Sequence, residues 1–183
     1  MAAYLSTSNL LLGLRALQLM PNGLGGTMMI LDPIHKQVSK DFVTKLRYPW
    51  WFATALGAWK LTQVALNWVF GGIYAPAAQA MMSIQLGGAL FTHVVAEGKG
   101  WTPEAVGAPL LFFCTTVAIT ALSTSVQVPT ILFCHFWLAS VGYMAGNVVV
   151  MLGPGDSDAL TSPVKWQEKR GFPATGEQSK KKS

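Results

Sequence analysis

The sequence predicts an all-α fold, a polytopic membrane helix bundle with about five hydrophobic segments. Three observations predict it. Hydrophobic residues make up 51% of the 183-residue chain and charged residues only 11%, against the roughly 25% charge of a soluble domain. Several nearly uncharged stretches are long enough to cross a bilayer, which takes about 20 residues at about 1.5 Å of rise each over a hydrocarbon core of about 30 Å. The few polar residues inside these stretches repeat at helical spacing, so each helix gathers them on one face. The length suits one domain. Residues 1–152 form the helix bundle and 153–183 a flexible basic tail with too few apolar residues to fold alone.

The first segment runs from about Ser6 to Leu31. It contains Pro21, Asn22 and a cluster of glycines, and its polar residues Ser8, Arg15, Gln18 and Asn22 fall at helical spacing. Proline inside a spanning helix kinks it and frees a carbonyl, so this segment either spans with a kink or enters and bends. Asp32-Pro33 ends it. Residues 34–47 form a basic loop or a short amphipathic surface helix. Tyr48, Trp50 and Trp51 then supply an interfacial aromatic anchor for the second segment, Trp50 to Phe70.

A short uncharged turn through Gly71 and Gly72 leads to the third segment, Ala77 to Ala96. The second segment carries Lys60, Gln63 and Asn67 on one face, and the third carries Gln85, Gly88 and Thr92 on one face with His93 beside them. Polar groups in lipid must find partners, so both faces are expected to look toward protein or a cavity. After the turn Glu97 to Trp101, Thr102-Pro103-Glu104 has the makings of a helix start: a capping hydroxyl, a proline in the first turn and an acid at the positive dipole end. The fourth segment is about Ala105 to Leu122. The fifth opens at Pro129, ends near Leu152 and is stopped by Gly153-Pro154. No internal repeat is present.

Orientation follows from the basic residues. Eleven of the thirteen Lys and Arg lie in the first loop, the third loop and the tail, which share one side when there are five spans; the second and fourth loops hold none. That asymmetry puts the C-terminus in the cytosol or its organellar equivalent. The N-terminus lacks the basic start and cleavage site of a secretory signal, and Arg15 alone makes a poor transit peptide. Lys180 and Lys181, near the end of the tail, match a dilysine retrieval signal. The endoplasmic reticulum is therefore the preferred compartment, ahead of mitochondrial inner, plastid or bacterial membranes.

Leu46-Arg47-Tyr48-Pro49-Trp50 leads into Gly57-Ala58-Trp59-Lys60-Leu61, and the next segment carries Gly87-Gly88-Ala89-Leu90-Phe91-Thr92-His93. Over roughly residues 10–122 the chain resembles the DoxX-like family of small integral membrane proteins. That family shows a similar loop-proline-aromatic entry, a Gly-x-x-acidic-Leu segment and a Gly-Ala-x-x-Thr-His segment. The resemblance implies a DoxX-like four-helix core plus an additional transmembrane helix. It also implies the family's associations, which include subunits of sulfur–quinone oxidoreductase systems and relatives in the endoplasmic reticulum that assist receptor assembly. Lys60 stands where the family often has an acid, and Asn22 to Gly26 replace its Gly-x-x-Lys-Leu ending of the first helix. Both departures argue against shared catalytic chemistry.

Among candidate binding residues, Arg15 and Lys60 are the most informative. All eight acidic residues fall in loops or tails, so neither cation has an acidic partner within a span, and a charge near the bilayer centre costs at least about 2.5 kcal/mol. An anionic or carbonyl-bearing ligand would answer both, with Gln63, Asn67, Gln85, Thr92 and His93 beside it. The plainer readings are a neutral Lys60 bonded to an amide and cations that stretch to the interface. His93 can relay protons, but bonding to a neighbouring helix or carbonyl is the commoner use. Cys114 and Cys134 read as inert small hydrophobes. Adjacent Cys134-His135 diverge by about 100° on a helix, so no metal is expected. Gly87, Gly88, Gly142 and Gly146 read as close-packing positions, within the bundle or against another protein.

No nucleotide loop, catalytic triad or nucleic-acid footprint is present. The expected role is that of a non-enzymatic assembly or accessory factor, partnered with the lipid bilayer and with another membrane protein or itself, and without a cofactor. The alternatives are a quinone-linked oxidoreductase subunit, with quinone as cofactor, and a lipid- or sterol-binding protein.

Overall fold

The computed structural model describes residues 7–49, 51–70 and 73–153, with the backbone alone over 32–37. Trp50 of the aromatic entry, the turn at Gly71-Gly72 and the tail beyond 153, with Lys180 and Lys181, lie outside the described residues.

Every regular element among the described residues is helical. α1 (Thr7–Leu19) passes through a π-helical turn (Met20–Leu24) into α2 (Gly25–Ile30). The proline therefore does not break the rod. The widened turn takes up its missing N–H, and the Gly25 N–H bonds the carbonyl of Met20 five residues back. One extended residue, Leu31, separates α2 from α3 (Asp32–Thr44), so most of the basic loop is a helix. α4 (Phe52–Val64) ends in a π turn (Ala65–Val69), and α5 (Ala75–Phe91) in another (Thr92–Ala96). α6 (Pro103–Ser123) starts as its sequence predicts: Thr102 accepts a bond from the Ala105 N–H at 3.4 Å, with Pro103 in the first turn. α7 (Val128–Met151) is followed by Gly153, whose φ of 64° gives it the left-handed stop. α6 and α7 are each long and apolar enough to cross a membrane.

α5 is the hub. Its most extensive partner is α7, then α6. Glycines make the α5–α7 approach: a Cβ on Gly87 would collide with the carbonyl of Ala139, and one on Gly142 with the carbonyl of Ile84. The ring of Phe91 lies over Gly146, where a Cβ would come within 2.7 Å of it. Gly142 and Gly146 are thus spent inside the bundle. A second seam, between α2 and α4, rests on Gly26 and Gly57, each facing the other's carbonyl at 3.0–3.1 Å from where a Cβ would stand.

The distribution of polarity is the reverse of a soluble protein's. Gln18, Asn22, Gln63, Asn67, Gln79, Ser83, Thr115, Thr116 and His135 are buried, while Leu17, Leu110, Phe133, Phe136, Trp137 and Met144 are exposed. Cys114 and Cys134 are free thiols on the exposed faces of α6 and α7.

Because the α5–α7 contact is backbone to backbone, Gly142→Leu is expected to force the helices apart at a cost of about 3 kcal/mol or more. Gly13, with nothing within 4 Å of a Cβ, gives the control. Gly13→Ala should raise stability by about 0.5–1 kcal/mol through helix propensity alone. Thermal unfolding of both variants in mild detergent checks the contrast.

Candidate functional site

The interior polar residues form two hydrogen-bonded groups and a rim cluster. In the first group, Gln18 and Gln79 pair reciprocally. The Gln18 amide donates to the Gln79 carbonyl at 2.8 Å, and the Gln79 amide donates back at 3.0 Å. Gln18 also donates to Thr116 at 3.1 Å. One turn along α5, Ser83 meets His135 Nδ1 at 2.7 Å, and Thr120 meets His135 Nε2 at 2.9 Å. Both hydroxyls also lie within reach of their own helix carbonyls, those of Gln79 and Thr116. A neutral imidazole has a single N–H, so one hydroxyl must turn its hydrogen onto the ring. This group ties α1, α5, α6 and α7 together.

The second group is a relay of amides. Gln63 donates to Gln85 at 2.9 Å, Gln85 to Asn22 at 3.3 Å, and Asn22 reaches the sulfur of Met82 at 3.8 Å. It joins α4 to α5 and to the π turn after α1.

At the α3 end of the hairpin, α4 and α5 spread apart around a cavity of about 590 Å³ whose walls also include α2, α3 and α7. Its surface is mostly apolar, from Phe52, Leu56, Trp59, Ile84 and Val149, and its polar lining holds Lys60, Gln85, Thr92 and His93 together with the carboxylates Asp41 and Glu97. Lys60 is two turns inside α4, about 12 Å along the axis from Phe52. Its ammonium lies against Gly25, 3.3 Å from where a Cβ would stand. Among the described residues no carboxylate pairs with it.

The mouth is built by Tyr48 and by the end of α5. Arg47 holds a left-handed φ of 59°, which turns the chain so that the Tyr48 N–H reaches the Phe42 carbonyl at 2.9 Å. Tyr48 is almost wholly buried and stacks on Phe52 at 4.4 Å. Its hydroxyl meets Thr92 at 2.7 Å. Thr92 already donates to the Gly88 carbonyl at 2.8 Å, so Tyr48 is the donor between them, and burial, by raising the pKa of the phenol, keeps its proton in place. His93 Nδ1 lies 3.1 Å from Glu97, and Lys99 pairs with the same carboxylate at 2.6 Å. Partial burial raises the Glu97 pKa, but the bonds and charges of Lys99 and His93 outweigh it and hold the carboxyl below its usual range.

The seven candidate binding residues therefore separate. Lys60, Gln85, Thr92 and His93 share the large cavity. Gln63 and Asn67 are buried beside a second, much smaller cavity. Arg15 lines neither; it is half-buried on α1 with its Nε unpartnered. Of the packing glycines, Gly87 and Gly142 meet backbone, whereas a Cβ on Gly88 would lie 3.6 Å from the Gly142 carbonyl, an ordinary contact. The sequence reading missed Gln79, Ser83 and Thr120. Gln79 and Ser83 do stand four residues apart on α5, a helical stripe on a different face from Gln85 and Thr92. No family model, no curated protein and no solved structure matches the chain.

Two outcomes follow. Gln79→Leu leaves the buried Gln18 side-chain carbonyl without its donor and should cost about 1–2 kcal/mol, while the double variant Gln18→Leu/Gln79→Leu should recover much of it; a double-mutant cycle of unfolding free energies reads the difference. At the rim, a carboxylate with a lowered pKa adds stability that is present above its unfolded value, about 4.3, and lost as pH falls through the folded value. Melting temperature should fall on acidification, and Glu97→Gln should flatten that part of the profile.

Proposed function

We propose that the protein crosses the bilayer five times and holds an amphiphilic lipid, without chemical turnover, in the cavity between the second and third crossings. The crossings are Thr7–Ile30, Phe52–Val69, Ala75–Ala96, Pro103–Ser123 and Val128–Met151. The inward polar groups and outward apolar faces support the membrane reading, since backbone and side-chain polar groups in lipid must be satisfied internally. On this reading the four-helix part is DoxX-like and α7 is the added helix, set firmly against α5.

The observation that carries the ligand is Lys60, a cation with no carboxylate pair among the described residues, on the wall of a mostly apolar cavity of about 590 Å³. That volume lies within the range of small-molecule sites, about 300–1,000 Å³. A cation without a partner among apolar side chains is costly, and a ligand oxygen would lower the cost. The ligand is therefore a molecule with a hydrocarbon chain and a carbonyl, carboxylate or phosphate oxygen. The chain occupies the space between Phe52, Leu56, Ile84 and Val149, and the oxygen accepts from Lys60. Gln85 and Thr92 add polar contacts along the same wall.

Purification in mild detergent with mass spectrometry of bound small molecules and proteins tests the reading. The wild type should carry about one amphiphile per chain, and Lys60→Met should hold it about tenfold more weakly or worse, as expected for loss of a charge-assisted bond. An empty cavity with a stoichiometric membrane-protein partner would favour the accessory-factor role instead. A bound quinone that turns over with an added electron donor would favour the oxidoreductase role.

A further inference from the structure

A second cavity lies between α1, its π turn, α4 with the π turn that ends it, and α5. It measures about 10 Å³ and is enclosed by Gln18, Asn22, Gln63, Asn67 and a few apolar side chains. Two of these residues carry a carbonyl oxygen that is buried and accepts nothing: Gln63 Oε1 and Asn67 Oδ1. Their residues are only 2% and 5% exposed. A buried acceptor left unmade costs about 1–3 kcal/mol, and two on residues that line one small cavity ask for a common donor.

We infer that this cavity is a binding site for a single internal water molecule, which donates one hydrogen to Gln63 Oε1 and the other to Asn67 Oδ1. The volume is that of one water-sized sphere, the lower limit for such a site, and an internal water needs two to four polar partners. Asn22 supplies a third, since its amide carries two N–H groups and the Met82 sulfur at 3.8 Å takes one of them. Turning the amides over does not remove the need. Flipping Gln63 would set its oxygen against the Gln85 oxygen that its N–H now reaches at 2.9 Å, and flipping Asn67 would present an unpartnered donor in place of an acceptor. Water answers either orientation because it both donates and accepts. A monovalent cation answers only the first, and the cavity wall brings it no carboxylate.

The site lies beside two of the three π turns: Asn22 is inside the turn Met20–Leu24 and Asn67 inside Ala65–Val69. A water there links α4 to the first helix at the level where both rods are widened. It extends the amide relay from Gln85 and Gln63 to Asn67, which has no other acceptor contact. The inference is independent of any ligand in the large cavity.

Structure determination of the whole chain in detergent or nanodiscs, at about 2 Å or better, tests it. The expected result is one ordered density within hydrogen-bonding distance of both Gln63 Oε1 and Asn67 Oδ1, unchanged when sodium is replaced by thallium or rubidium. In the Asn67→Leu variant that density should vanish. Should that variant fail to fold, magnetisation transfer from water to the side-chain amide of Asn22 in the wild type reports the same contact. Anomalous signal from thallium at the site would make it a cation site and overturn the inference. An empty cavity with Gln63 and Asn67 bonded to other protein groups would also overturn it.

Discussion

The reciprocal pair between Gln18 and Gln79 is the constraint on which the bundle depends. Each amide satisfies the other at 2.8–3.0 Å, and together with the bond to Thr116 they fix α1 against α5 and α6. Away from water an unpaired amide has no alternative partner, so the helices can take only rotations that bring these groups together. His135 adds the same demand from α7, since its two ring nitrogens reach α5 through Ser83 and α6 through Thr120. Apolar area cannot impose such a rotation, because the burial of leucine, phenylalanine and methionine surface is non-directional. Polar pairs set the orientation, and glycines set the distance.

Close approach and open space are two sides of one arrangement. Gly87 and Gly142 pull α5 onto α7, and Gly26 and Gly57 pull α4 onto α2. α4 and α5 are thereby drawn toward different partners. They remain joined by the Gln63–Gln85 bond and by the indole of Trp59, which donates to the Met81 carbonyl at 3.3 Å. Between that contact and the Tyr48–Thr92 bond the hairpin stands apart, and the large cavity fills the gap. Lys60 lines this space with its ammonium against Gly25, where α2 offers glycine and backbone and nothing acidic to receive it.

Much of this was legible in the sequence. The helix positions follow from segment length, the start of α6 from Thr102-Pro103-Glu104, and its stripes placed Gln18, Asn22, Gln63, Asn67 and Gln85 toward protein. The division of those residues between two cavities was not legible, because periodicity assigns a face but not the partner that face will meet. Arg15 shows the limit: it shares a stripe with Gln18 and Asn22, yet lines neither cavity. Gln79 and Ser83 were overlooked for a related reason. α5 is polar on more than one face, and the spacing of Gln85, Gly88 and Thr92 marks only one of them. The α2–α4 seam was hidden because Gly26 reads as a breaker beside Pro21 and Asn22.

The π turns reconcile the length of the rods with the polar residues they contain. An α-helix that meets Pro21 loses one N–H and must kink, whereas a turn closed five residues back keeps the neighbouring carbonyls bonded; the Gly25 N–H to Met20 and the Glu97 N–H to Thr92, at 2.8 Å, are those closures. Each turn inserts one residue and so rotates everything beyond it by about 100°. That rotation re-aims a polar side chain without breaking the rod. Asn22, Asn67 and Thr92 sit in the three turns, and all three lie at the small cavity or the large one. Interruption by π turns is also why, among the described residues, only α6 and α7 run unbroken for the length of a bilayer while the other rods divide into shorter α-helical pieces. The interrupted rods line both cavities and the uninterrupted pair backs the bundle, with α7 closing one wall of the larger space.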